Sequence, residues 1–174
     1  VDQAYQCRVR DPWWRVPYLK PADLLLTYMN ADTPRLCGNP AGAHHLNSVH
    51  GVYLHDNTAT LGRSLLSLAA LNSVTLLGAE LVGRSYGGGV LKLEPREADV
   101  WPMPARHVVA QRAPQLRAVR SRVRRLLAAN QLFEAVNLVD SVLLTGLVAD
   151  DARQVIRAGR AGLHERRSAR SRSR

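Results

Sequence analysis

Cysteine is scarce in this 174-residue chain: Cys7 and Cys37 are the only two, and their spacing matches no metal-binding or redox motif. A reduced, cytoplasmic setting is therefore the expectation. Long apolar runs are missing too. A bilayer span needs about 20 apolar residues, and the nearest approach, 61–81, is interrupted by Arg63, Asn72 and Glu80. No membrane partner is expected, and the opening Val1-Asp2-Gln3 reads as mixed polar sequence rather than a signal peptide. Catalytic fingerprints are also lacking. There is no P-loop, no dinucleotide-binding glycine pattern and no nucleophile elbow. Asn39-Pro40 is followed by Ala41-Gly42, so the Asn-Pro-Pro-aromatic motif of amino-methylating enzymes is absent.

What the chain does have is positive charge, unevenly placed. The net charge is +10. Residues 1–113 hold 11 Lys/Arg against 9 Asp/Glu, a balance of +2, and residues 114–152 hold 5 against 4, a balance of +1. From Arg153 onward there are 8 Arg and one Glu, a balance of +7. Such a terminal block can strengthen non-specific nucleic-acid binding, or it can simply be a solvated helix end. It cannot specify a sequence.

Hydrophobic content and length suit one domain, with or without a helical extension. Residues 1–57 are rich in Pro, Gly, Asn and aromatics, with strand candidates at 5–9, 24–29, 33–37 and 49–54 and a polar loop at 38–48. The period then changes. Leu61, Leu65, Leu68 and Leu71 predict one helix, Asn72-Ser73 a break and N-cap, and Val74, Leu77 and Leu81 a second helix ending at Gly83. Val90–Leu93 predicts a short strand, 94–100 a helical turn, and Pro114 a longer helix with an apolar stripe opposite Arg117, Arg120, Arg122, Arg124 and Arg125. Further helices follow Asn130 and Asp150/Asp151. The expected fold class is α+β: a small irregular β-rich domain with a helix pair over 1–113, a helical extension over 114–167, and a disordered basic tail over 168–174.

Two segments stand out as candidate binding elements. Gly87-Gly88-Gly89 lies between Arg84, Tyr86 and Lys92. Three successive glycines suit either a tight corner or a backbone that approaches a phosphate closely. The second segment, His44-His45-Leu46-Asn47-Ser48-Val49-His50, offers donors and acceptors that suit base edges or phosphates, and equally a hydrogen-bonded turn. A zinc site from Cys37, His44 or His45 and His50 lacks a clear fourth ligand. Cys7 and Cys37 read as buried small apolar residues, and Trp13, Trp14 and Tyr18 as core aromatics or stacking groups.

Residues 5–17, Tyr-Gln-Cys-Arg-Val-Arg-Asp-Pro-Trp-Trp-Arg-Val-Pro, resemble the opening of the target recognition domain of gamma-type N6-adenine DNA methyltransferases. The resemblance continues in order. It takes in Pro21 to Met29, Thr33 to Leu36, Asn39, Ala41 to Ala43, Leu46 to Leu54, Leu71 to Ser73, Glu80-Leu81, Gly83 to Pro95 and Pro102 to Pro104, with a looser likeness in the helical remainder. It implies a module that recognises double-stranded DNA, joined to an N-terminal catalytic domain that flips an adenine and methylates its N6 from S-adenosylmethionine. That domain and its cofactor are expected outside this chain, which is expected to be inactive alone.

On this reading Lys20, Arg35, Arg84 and Lys92 are candidate phosphate contacts. Asn39, His44, His45, Asn47, Ser48 and His50 are candidate base-edge contacts, and Tyr86 a candidate stacking group. Two alternatives remain. A metal-dependent nuclease would need clustered carboxylates, and only Glu94, Glu97 and Asp99 lie near each other. A docking module of a restriction–modification complex would use the helices from Pro114 onward.

Overall fold

The protein is described by a computed structural model covering residues 4–15 and 19–172. Tyr18 and the last two residues lie outside the described residues. The fold is α+β, as expected. A one-turn helix α1 (Tyr5–Arg8) precedes β1 (Leu24–Thr27), β2 (Met29–Asn30), β3 (Leu36–Gly38) and β4 (Val49–Val52). Helices α2 (Asp56–Ala69) and α3 (Ser73–Val82) lead to β5 (Arg84–Tyr86), a glycine turn (Gly87–Gly89) and β6 (Val90–Lys92). Helices α4 (Pro95–Asp99), α5 (Arg106–Gln111), α6 (Ala113–Ala128), α7 (Leu132–Leu143) and α8 (Asp150–Arg172) complete the order.

The strands form two three-stranded antiparallel sheets. One has the order β3-β1-β4, with Leu25 opposite both Cys37 and Gly51. The other has the order β2-β6-β5, with Leu91 between Asn30 and Ser85. The break between β1 and β2 places Tyr28 at the junction of the sheets. The strand expected over 5–9 is instead a helical turn, closed by the Ala4 carbonyl accepting from the Cys7 and Arg8 amides. Local bonding satisfies that backbone without a partner strand.

Asn72 ends α2 and starts α3. Its buried amide donates to the Ala69 carbonyl and accepts from the Thr75 amide, and the two helices diverge by 87°. No single described helix is long and apolar enough to cross a membrane. The main core gathers Leu65 and Leu68 of α2 with Val109, Leu116, Val123, Val139 and Leu143 of α5–α7. It runs across residue 113, where a domain boundary was expected. A second cluster, Leu26, Ala79, Leu91 and Trp101, joins both sheets to α3.

Helix α8 departs most from expectation. It continues as helix through Arg172, where disorder was expected from residue 168, and it packs on α3 and the glycine turn. Arg153, Arg157, Arg160 and Arg167 form ion pairs with Asp150, Asp140, Asp32 and Glu80 respectively. Asp140, fully buried on α7, also accepts from the Ser73 amide at 2.8 Å and so caps α3 from another helix. These four arginines thus have carboxylate partners within the fold.

Candidate nucleic-acid interface

The loop between β3 and β4 is held from inside. The Asn39 side chain donates to the Ala22 and Ala43 carbonyls, both at 2.9 Å, and accepts from the Ala43 amide at 2.9 Å. Its hydrogen-bonding capacity is therefore largely spent within the loop. His44 contacts the Leu19 carbonyl through Nδ1 at 3.1 Å. The His45 ring lies against β4 at Gly51, where a Cβ would overlap it. His50 meets the Leu93 carbonyl through Nε2 at 2.7 Å and packs edge-on against Tyr28 at 5.0 Å. Of the five histidines and asparagines expected as base-edge contacts, Asn39, His44 and His50 thus use their amide or ring atoms on the protein itself.

Asn47 and Ser48 are different. Both are exposed, beside Leu46, which is 81% exposed. Asn47 and Leu46 stand on the rim of a groove of about 790 Å³ whose wall includes His45, His50, Tyr53, Trp101 and Met103. Sequence reasoning passed over Leu46; its position between His45 and Asn47, in a loop with no apolar period, was the available signal. Lys20 flanks this region, with Nζ 5.6 Å from the centre of the Tyr53 ring and its carbonyl accepting from the Tyr53 hydroxyl at 3.0 Å.

The glycine turn builds a second feature. Lys92 Nζ sits 5.0 Å from the Tyr28 ring centre and 5.1 Å from that of Tyr86, bridging the two rings. It also pairs with Glu94 at 2.6 Å. Glu94 first, and Tyr28 second, hold the ammonium well above the ordinary lysine range. Lys92 in turn holds the Glu94 carboxyl below its ordinary range. Arg84 is paired in the same way, with Glu97 at 2.5 Å. Glu94 and Glu97 form the capping box of α4, so two of the three carboxylates weighed for a nuclease are helix caps and counter-ions.

Arg35 lies in the connection entering β3, half-buried, with a buried Nη1 that has no hydrogen-bond partner. The expectations for the cysteines and tryptophans are corrected. Cys37 is exposed on the edge strand β3 and Cys7 is half-buried. Trp13 and Trp14 are 47% and 66% exposed, so they are not core. Among the described residues, no group of three or more His, Cys, Asp or Glu is arranged to hold a metal ion.

The described residues thus form an α+β unit whose polar loop at 38–48 is braced from inside. Comparison with known proteins gives it a family. Residues 1–144 match the family described as Type II methyltransferase M.Eco57I, C-terminal domain, and the chain belongs to that family. The chain is also 35% identical over 105 residues to the Type II methyltransferase M.XamI of Xanthomonas campestris pv. amaranthicola. That match covers 60% of this chain and 19% of the relative's length. No solved structure matches it.

Proposed function

We propose that this chain is the DNA-recognition module of an N6-adenine DNA methyltransferase, acting with a catalytic domain that binds S-adenosylmethionine and transfers the methyl group. The observation that carries the reading is the loop at 38–48. Asn39, His44 and His45 brace it, and Leu46, Asn47 and Ser48 stand exposed at its end. Rigidly supported loops are where folds place recognition chemistry. An asparagine amide can pair in bidentate fashion with adenine in the major groove, and a serine hydroxyl with either partner of a base pair. The membership in a Type II methyltransferase family supports the reading. The chain's own sequence offers neither a glycine-rich cofactor loop nor an Asn-Pro-Pro-aromatic motif, so the methyl-transfer chemistry is assigned to the catalytic domain.

Lys92 and Arg84 take a smaller part than charge alone suggests, because each already has a carboxylate partner. In this reading the Lys92–Tyr28–Tyr86 cluster is a firm platform beside the duplex, with Tyr86, 56% exposed, as its outer face.

Selection of bound duplexes from a randomised pool by the purified chain tests the reading. Enrichment of a short motif is expected, relaxed at one position by Asn47→Ala. Recovery of an unenriched pool would refute sequence-specific recognition.

A docking role has its own support in the exposed apolar residues Tyr5, Val9, Trp13 and Trp14 of the N-terminal segment. They suit contact with the catalytic domain and are not residues of the exposed loop end, so the two roles are compatible.

A further inference from the structure

Cations are unevenly neutralised in this protein. Arg84 and Lys92 at the glycine turn face carboxylates, and so do four arginines of α8. Helix α6 contrasts with both. Its sixteen residues carry five arginines and no Asp or Glu. Arg120 is tied to α2 by donating to the Ser64 carbonyl. Arg117, Arg122, Arg124 and Arg125 are exposed, and among the described residues none has a carboxylate partner. Like charges this close on one helix repel, so an external polyanion would relieve the helix as well as bind it.

The helix does not point away from the reading loop. A groove of about 500 Å³ has Cys37, Asn39 and Pro40 on one wall, at the root of the loop, and Arg120 and Arg124 on the other. Positions 117, 120 and 124 fall within about 60° of one another around the helix, while 122 lies about 160° away from 124. Arg117 and Arg124 are about 10 Å apart along the axis, comparable with the rise of about three base pairs along a duplex axis.

We propose that the Arg117/Arg124 edge of α6 is a phosphate track that holds duplex DNA flanking the bases read by the loop. The inference rests on the DNA-recognition reading above and adds a contact surface to it. These contacts are sequence-independent: guanidiniums on phosphate oxygens raise affinity and fix register without selecting bases. They also supply the unpaired positive charge that the glycine turn does not.

The test is binding of a short fluorescent duplex by the purified chain across a salt series. Arg117→Gln with Arg124→Gln is expected to flatten the slope of log affinity against log salt by about 2, since each neutralised phosphate contributes about 0.9. Arg122→Gln, on the far side of the helix, is expected to leave the slope unchanged. Arg117→Lys with Arg124→Lys is expected to retain most of it, and unchanged melting curves would show that the variants fold. An unchanged slope in the double Gln variant overturns the track and leaves α6 to a protein partner. An equal fall with Arg122→Gln overturns it in favour of a diffuse field. If the wild type binds no duplex at the lowest salt, the DNA reading itself fails and takes the track with it.

Discussion

Arg167 of α8 grips Glu80 of α3 with two donors, Nη2 to Oε1 at 2.8 Å and Nε to Oε2 at 3.1 Å, and both side chains are almost completely buried. The same guanidinium donates to the carbonyls of Ala31 at 3.2 Å and Asp32 at 2.9 Å, and to that of Gly89. One side chain therefore ties the C-terminal helix to α3, to the connection after β2 and to the glycine turn. A planar fork with five donors suits this task, and a lysine could not reproduce it.

Replacing Arg167 with Met would leave Glu80 buried without its guanidinium, with only His164 near it at 3.7 Å, and three carbonyls would lose a donor. The expected cost is about 3–5 kcal/mol, the usual range when one partner of a buried pair is removed. Adding Glu80→Leu should recover part of that loss, because the stranded charge goes with it. Urea denaturation of the two variants measures both. A loss under about 1 kcal/mol in the single variant would show that the pair is not holding α8 in place.

The three glycines of the turn divide into different roles. Gly87 has open space where a Cβ would go and does not have a positive φ. Gly89 is buried, has φ +74°, and gives its carbonyl to Arg167. Gly87→Ala should be close to neutral, whereas Gly89→Ala should cost at least about 1–2 kcal/mol from the left-handed backbone alone. Equal thermal melting of the two variants would contradict this division.

Asp23 gives the molecule an acid-sensitive joint. Its carboxylate accepts from the Leu54 amide at 2.7 Å and from Arg63 Nε at 2.6 Å, linking the residue before β1 to the segment after β4 and to α2. The Leu54 amide first, and Arg63 second, hold its pKa below the usual aspartate value of 3.8. The ionised form is thus favoured in the folded state. Its stabilisation is complete above the unfolded value and is lost as pH falls from about 3.8 toward the lower folded value. Asp23→Asn should destabilise the protein at neutral pH and flatten the acid limb of its stability curve. If wild type and variant lose stability in parallel through that window, the joint is elsewhere.

Local chemistry made much of the fold legible. The Asn72 break, the proline at the start of α6, the turn at Asn130 and the aspartates opening α8 all act within a few residues of themselves. They were readable because a cap or a stop needs no distant partner. The counter-ions were a different matter. Arg167 finds Glu80, and Arg160 finds Asp32, across 87 and 128 residues, and nothing in charge counts foretells such pairs. The neutralisation of Lys92 was closer to hand, since Glu94 lies two positions on and both leave an extended segment on the same side. In the loop at 38–48, residue type indicated polarity but not direction. Asn39 and Asn47 look alike in sequence, yet one amide is turned inward to brace the loop and the other is exposed.

On the proposed reading, that difference between two asparagines separates structure from recognition. Asn39→Ala removes bonds to Ala22 and Ala43 that hold the loop, so it should lower stability by about 1–3 kcal/mol and weaken binding to preferred and scrambled duplexes alike. Asn47→Ala removes an exposed side chain, so the melting temperature should stay near the wild-type value. Its effect should fall on discrimination instead, with about 1–3 kcal/mol of preference lost at one base pair while affinity for scrambled duplex is retained. Calorimetric melting paired with competition binding distinguishes the two patterns. If Asn47→Ala weakens all duplexes equally, Asn47 is a backbone contact and the base reader must be sought among its neighbours on the groove rim.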